Sequence, residues 1–491
     1  MRKNGRMALP SMTTHVPALI VGAGISGLVC AYALRKSGMD VLVVEASPRP
    51  GGLIRSERRD GYLLELGPQS FSSTVQLLNL CRDLGIQDQL VEAPPRAPRY
   101  LLIDSQLRPV PLSAPAFFIS SLFSAKTKWS LVSDVFRHTT PPTSDESIAD
   151  FTRRRFSAEL LDKLVGPFVS GVYAGDAEKL SLRAAFPQLH EAERSAGSII
   201  WGMLRAAKAK SKAASENGAA PAKKHRPTLQ TFRDGNETLV KALAASLDPA
   251  VRTETSVRDI RRSTSAQSTS YEVTLTAKNS SQQITADNLI LAASTDVAAD
   301  LLRTLSPDIS ASLKPIEYAP IAVVSLGYPQ SAIQHSLEGF GFLVPRSAGR
   351  RTLGTVWNSS LFPNRTPDGH VLLTSFVGGA TDPTAISQPE AELAAVVHSE
   401  LTPILEIQSS PAFSSVTLYR RALPQYNLGH SERLAAIQRL SAALPGLFLT
   451  GNYLRGPAIG SCVEQALAIA EAVLVRSKQP AANAVLAGGS R

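Results

Sequence analysis

Six residues near the start of the chain, Gly22-Ala23-Gly24-Ile25-Ser26-Gly27, have the spacing that holds a diphosphate against peptide backbone. In such a turn the first glycine makes the bend from strand to helix. The second lets the backbone approach the phosphates, and the third lets the helix pack close to the strand. The helix N-terminus then offers free N–H groups and a partial positive charge. Glu45 stands 18 residues beyond Gly27, with Ala46 beside it. A carboxylate there can accept hydrogen bonds from ribose hydroxyls. These residues point to a dinucleotide but do not say which one. No Ser/His/Asp or Cys/His set stands out among the eight histidines. No catalytic side chain and no metal site is therefore assigned, and the redox chemistry is expected from a cofactor.

The elements that must position this turn are legible around it. Ala18–Val21 reads as a buried parallel strand, Ile25–Ser37 as a helix closed by Gly38, and Asp40–Glu45 as a second buried strand. A further helix is expected over Gln76–Leu84, and a proline-rich, strand-like stretch over Pro94–Pro115. Residues from about Ala116 to Ala207 read as mainly helical, and Ala206–Pro227 as a disordered linker of low complexity. Short β-like runs follow at Val251–Ile260, Tyr271–Ala277, Leu289–Ala293, Ile321–Leu326, Gly341–Val344 and Val371–Val377. The chain then returns to a strand at Leu447–Thr450, a glycine-rich turn, and a helix from about Cys462 to Val475.

Three more motifs sharpen the cofactor. Paired glycines in Arg49-Pro50-Gly51-Gly52-Leu53-Ile54-Arg55 let backbone lie beside a bulky flat ring. This Gly-Gly-x-x-Arg resembles the amine oxidase and phytoene desaturase flavoproteins, which turns "dinucleotide" into FAD. Glu65-Leu66-Gly67-Pro68-Gln69-Ser70 reads alone as a β-turn, and the resemblance puts it near the flavin ring. The stretch Gly451-Asn452 to Pro457-Ala458-Ile459 ends a strand and opens a helix, whose N–H groups can stabilise negative charge on a reduced flavin.

Beyond these, the chain resembles the oxygen-dependent protoporphyrinogen oxidases from about Val16 to Val475. The match is most specific over Gly166-Pro167-Phe168-Val169-Ser170-Gly171-Val172-Tyr173-Ala174-Gly175-Asp176, followed by Leu180-Ser181 and Ala184-Ala185-Phe186-Pro187. Ala97-Pro98-Arg99-Tyr100, Leu361–Arg365, Phe376–Gly379 and Leu423-Pro424-Gln425-Tyr426 with Gly429-His430 fall in the same order as in that family. The resemblance implies three rounds of flavin-mediated hydride removal from protoporphyrinogen IX, each reset by dioxygen with release of hydrogen peroxide. It implies that Arg99 meets a propionate, that Leu343, Val356 and Phe376 form an apolar slot, and that Phe168, Val169, Gly171 and Gly175 lie over the reacting ring. Val356 stands where the family has leucine. Val257 is expected beside the adenine. His430 is the most suggestive histidine, and a structural role is favoured for it.

The fold class implied is a Rossmann-type α/β FAD-binding domain with a mixed-sheet substrate domain and a helical membrane-associated domain. The boundaries expected are 16–90, 229–305 and 437–480 for the first, 91–112 and 306–436 for the second, and 113–205 for the third, with 206–228 as a flexible basic linker. The chain has 491 residues, 44% hydrophobic and 19% charged, which suits two or three globular domains. Its net charge is +10, of which +6 falls between Arg205 and Arg226 and +3 on Arg2, Lys3 and Arg6. The body is thus nearly neutral, which argues against nucleic acid. Three scattered cysteines, Cys30, Cys81 and Cys462, argue against disulfides and zinc and suit a reducing compartment. No leader with an adequate apolar region and no spanning segment is read. Ala114–Phe123, with Lys126 and Lys128 near it, is the candidate to dip into a bilayer face. The expectation is a cytoplasmic protein resting on the inner face of a cell membrane, with a tetrapyrrole and dioxygen as partners and a homodimer among its assemblies. The alternatives are a coproporphyrinogen III oxidase, another flavin amine oxidase or desaturase, and a non-catalytic flavin or porphyrin carrier.

Overall fold

Four consecutive apolar residues, Ala18–Val21, can all be buried only in a strand covered on both faces. The computed structural model, which describes residues 14–137, 139–216, 227–264, 269–278 and 280–478, has this arrangement. The strand Thr14–Val21 pairs in parallel with Val41–Val44 on one side and Ser280–Leu291 on the other. Val251–Arg252 extends the sheet at one edge, and Thr269–Ala277 and Thr255–Thr264 extend it at the other. Leu447–Leu449 also runs parallel to Ser280–Leu291. Strand alternation divides the apolar side chains between two layers. Ala18, Ile20, Val43 and Ile290 pack under the helices Ile25–Lys36, Glu237–Ser246 and Ile459–Lys478. Leu19, Val21, Leu42 and Leu289 pack against Thr295–Leu302, Pro307–Leu313 and His430–Ala442.

A second sheet follows the order Phe413–Pro424, Tyr318–Pro329, His370–Gly378, Thr352–Trp357, Gly341–Leu343, Arg99–Ile103, Gln106–Pro109. Its early strand, Arg99–Ile103, pairs in parallel with Gly341–Leu343, more than two hundred residues later. The helix Glu390–Leu405 covers one face, where Leu393, Val397 and Leu401 meet Ala322, Val324 and Leu326. The alternate residues Ile321 and Val323 point to the other face, towards the first sheet's glycine turn.

Between Ala114 and Glu216 the chain is helical. A π-helical turn, Leu161–Val165, leads into the helix Gly166–Tyr173, which ends at Ala174 in the left-handed region, φ 48°. Four expectations are corrected here. The helix Ile199–Glu216 runs well into the segment read as a linker; the remainder of that segment from 217 to 226, like Arg2, Lys3 and Arg6, lies outside the described residues. Val251–Ile260 is two strands, because the chain turns at Glu254 with φ 50°. Thr352–Trp357 and Phe413–Pro424 are strands that were not expected. The apolar run Ala114–Phe123 is not one surface: Phe117, Leu122 and Phe123 are buried beside Leu101 and Leu160, while Phe118 and Ile119 are exposed. All three cysteines are free and buried. Among the described residues no helix is long and apolar enough to cross a membrane.

Candidate functional site

The glycine turn is built as its spacing implies. Gly22 has φ +104° and its N–H donates to Val44 O at 2.8 Å; a Cβ there would stand 2.7 Å from Ala292 O. A Cβ on Gly27 would stand 1.9 Å from Gly22 O. Gly24 differs, since a Cβ there would meet nothing within 4 Å among the described residues. It faces open space at the N-terminus of the helix Ile25–Lys36, where a diphosphate can approach. Glu45 accepts from Ala23 N–H at 2.8 Å and Ser47 N–H at 2.9 Å, which fixes its carboxylate at the strand end. Gly51 N–H donates to Ala23 O at 2.7 Å, so the second glycine motif is tied onto the first. Arg49 holds that motif in shape by donating to the carbonyls of Pro50, Gly52 and Ile54.

These turns open on a cavity of about 650 Å³. Of the residues expected at the cofactor, Gly24, Ile25, Ser26, Gly51, Gly52, Leu53, Gly67, Pro68, Gln69, Asn452, Pro457, Ala458 and Ile459 line it. Gly22, Ala23, Gly27, Glu45, Ala46, Arg55, Ser70 and Val257 do not. Arg55 points outwards and pairs with Glu57 at 3.3 Å. The Val257 side chain packs on the first sheet's core, because its strand is the outer edge of that sheet. The 20-residue helix Ile459–Lys478 aims its N-terminus at the cavity and brings its partial positive charge there.

The far wall comes from the second sheet and the helix Gly166–Tyr173. Gly171 and Phe376 line the cavity, with Val172, Tyr173, Ala174, Ile321, Val323 and Leu353. Helical phase separates Val169 from Gly171 on this wall. Val169 faces away and is fully buried among Ile148, Leu180 and Tyr426. Phe168 lies a turn before Val172, half exposed, with its ring 6.1 Å from that of Phe186. Gly175 lets Leu180 and Gln425 approach. Leu343 packs directly behind Gly171, since a Cβ there would come within 2.3 Å of Leu343 Cδ2. Val356 is buried with Leu361 and Phe362, and Phe376 packs against it. Arg99 is exposed and stacks over Phe340, 5.4 Å from the ring centre, and Phe340 packs on the Val356 cluster.

Among the described residues the charged side chains lining the cavity are two arginines, Arg421 and Arg455. Arg421 pairs with Asp296 and lies 5.7 Å from the Tyr318 ring centre. Burial pushes the hydroxyls of Tyr173, Tyr318 and Tyr419 above the usual range, and the Cys462 thiol to about 11. The walls therefore stay protonated and uncharged near neutral pH apart from the arginines. Tyr419, Arg421 and Ala422 were not anticipated. Their strand is bulged where Ala319–Ile321 meets it, which disrupts the alternation that would have marked it.

A glycine turn at a strand–helix junction, a second glycine pair tied onto it and a helix N-terminus across an apolar cavity define a dinucleotide-dependent oxidoreductase. The chain belongs to the flavin containing amine oxidoreductase family, whose signature matches residues 25–474. Its cofactor is FAD, and the open space at Gly24 fits the diphosphate of that group. The chain is 37% identical over 473 residues to the chloroplastic protoporphyrinogen oxidase of Nicotiana tabacum, covering 94% of this chain and 85% of that one. It is 31% identical over 464 residues to the coproporphyrinogen III oxidase of Bacillus subtilis (strain 168), covering 91% and 95%. Among solved structures, cyclohexylamine oxidase from Brevibacterium oxydans IH-35A shares the fold at 18% identity, with a TM-score of 0.68 over 94% of this chain and all of that one.

Proposed function

We propose that the chain oxidises protoporphyrinogen IX to protoporphyrin IX, with dioxygen as acceptor and hydrogen peroxide as by-product. The observation that carries this reading is the apolar wall of Ile321, Val323, Leu353 and Phe376, joined by Gly171–Ala174, in the same cavity as the cofactor turns. A flat, apolar macrocycle suits such a slot. Bound FAD supplies the hydride acceptor. On this reading the chain's own residues position the substrate: Phe376 and Leu353 offer faces for the ring, Leu343 supports the wall behind Gly171, and the exposed Arg99, stacked over Phe340, is the residue proposed to meet a propionate. Relatives that act on porphyrinogens cover nearly all of the chain, which supports the same substrate class.

Coproporphyrinogen III is the second reading, supported by the Bacillus subtilis relative. It carries four carboxylates, and of the two cavity arginines Arg421 is already paired with Asp296. This favours the substrate with two. The test is anaerobic reduction of the purified flavoprotein with each porphyrinogen, followed by porphyrin fluorescence in air. A clear preference for coproporphyrinogen overturns the first choice. Arg99→Ala is expected to raise KM about tenfold and leave the flavin spectrum unchanged, as loss of a charge-assisted hydrogen bond worth about 1.5 kcal/mol requires. The reading extends to the helical region, where exposed Ile119, Trp129, Phe136, Trp201 and Leu204 suit contact with lipid. Co-sedimentation with anionic vesicles tests that contact, and size measurement in solution tests a homodimer.

A further inference from the structure

The segment Gln425–His430 has no part in the chemistry assigned above, yet it grips both walls of the cavity. On one side it holds the end of the helix Gly166–Tyr173. Gln425 Nε2 donates to Tyr173 O at 3.0 Å, and the Tyr426 ring meets the Tyr173 ring edge-on at 6.2 Å. The backbone is stitched there as well, with Ser181 N–H donating to Tyr426 O at 2.8 Å and Leu428 N–H to Lys179 O at 2.9 Å. On the other side it holds the cofactor turn. The Tyr426 hydroxyl donates to Asn452 O, and His430 Nε2 donates to Tyr453 O at 2.9 Å. The two rings stack at 4.5 Å with 12° between their planes, and each residue is 2% exposed.

Because its partner is a carbonyl, His430 Nε2 carries the proton, and Nδ1 is buried with no hydrogen-bond partner among the described residues. Burial pushes the imidazole down to about 4, so the ring is a neutral donor at physiological pH. Peptide units are planar, so fixing two successive carbonyls fixes two successive peptide planes. The planes fixed here begin at Asn452, which lines the cavity ahead of the helix Ile459–Lys478.

We propose that Tyr426 and His430 are positioning residues that set the gap between the cofactor turn and the helix covering the cavity, and so the separation between substrate carbon and flavin. The choice of substrate for the test rests on the porphyrinogen reading. The variants are Tyr426→Phe, His430→Phe and His430→Gln in the full-length, FAD-loaded protein. A buried carbonyl left without its donor costs about 1–3 kcal/mol, which is about fivefold to 150-fold in a rate that depends on its position. Tyr426→Phe and His430→Phe are expected to slow anaerobic single-turnover flavin reduction within that range, shift the flavin absorption band, and leave KM within about twofold of the parent. His430→Gln keeps an N–H donor and is expected to recover most of the rate. Unchanged reduction rate and flavin band with only a lower melting temperature would overturn the proposal, as would a raised KM at unchanged rate. If protoporphyrinogen fails to reduce the parent's flavin, the substrate reading falls. The brace is then judged on the flavin band and midpoint potential under photoreduction, where variants identical to the parent overturn it.

Discussion

The three glycines of the first turn separate folding from cofactor binding, and Gly24→Ala is the variant that exposes the difference. Gly24 has φ −69° and ψ 176°, a conformation alanine adopts freely. Its added Cβ meets nothing within 4 Å among the described residues. Exchanging glycine for alanine at a compatible position stabilises a chain by about 0.4–1 kcal/mol through the unfolded state. The FAD-free variant is therefore expected to melt at or slightly above the parent's temperature. The same methyl stands where the diphosphate must approach. An extra methyl in a close-packed contact costs about 1–3 kcal/mol, so the FAD dissociation constant is expected to rise about fivefold to 150-fold. Gly27→Ala reverses the pattern, because its Cβ would lie 1.9 Å from Gly22 O and must distort the turn even without cofactor. The assay is fluorescence titration of deflavinated protein with FAD, beside thermal melting of the same samples. An FAD affinity for Gly24→Ala within twofold of the parent, or a drop in melting temperature as large as that of Gly27→Ala, would refute the reasoning.

Glu65 and Arg365 are each 2% exposed and 3.2 Å apart, and they join the turn before Gly67 to the segment after Phe362. Burial pushes the Glu65 carboxyl up to about 7 even though Arg365, Ser56 and Asn236 pull it down. Arg365→Met is expected to destabilise by about 3–5 kcal/mol, and Glu65→Met with Arg365→Met to recover most of that loss, read from denaturation midpoints; equal single and double variants would count against the pair. His430 binds a proton less readily folded than unfolded, so stability is expected to be complete above about pH 6.5 and to fall as pH drops towards about 4, by at most about 3 kcal/mol. His430→Gln should flatten that slope in melting curves taken across the window, and an unchanged slope assigns it to other groups.

The nucleotide half of the site was readable because its residues are consecutive. Gly22–Gly27, Gly51-Gly52 and Pro457–Ile459 carry turn chemistry in a few positions, and backbone geometry translates directly into a glycine pattern. The substrate half was readable only through resemblance, and unevenly. Gly171 faces the cavity, but Val169, two positions before it, does not; the difference is helical phase, which the match of a motif does not supply. Tyr419 and Arg421 escaped because their strand is bulged, so a period of two fails just where it would have marked them. Arg365 and Tyr426 do their work by long-range pairing with Glu65 and Asn452, and no local signal announces a partner that far along the chain.

The helix Ile459–Lys478 has a consequence for how the molecule is assembled. Its Val463, Ala466 and Ala470 pack against Leu28, Val29 and Ala31 of the helix that follows the glycine turn. The glycine turn is synthesised more than four hundred residues before the helix that packs against it. Contacts of such sequence separation form slowly, and the apolar face of the first helix waits uncovered meanwhile. Residues of both helices line the same cavity, so the cofactor is expected to favour a chain that carries both over one that lacks the second. Supply of the flavin is thus expected to raise the yield of folded protein as well as its activity.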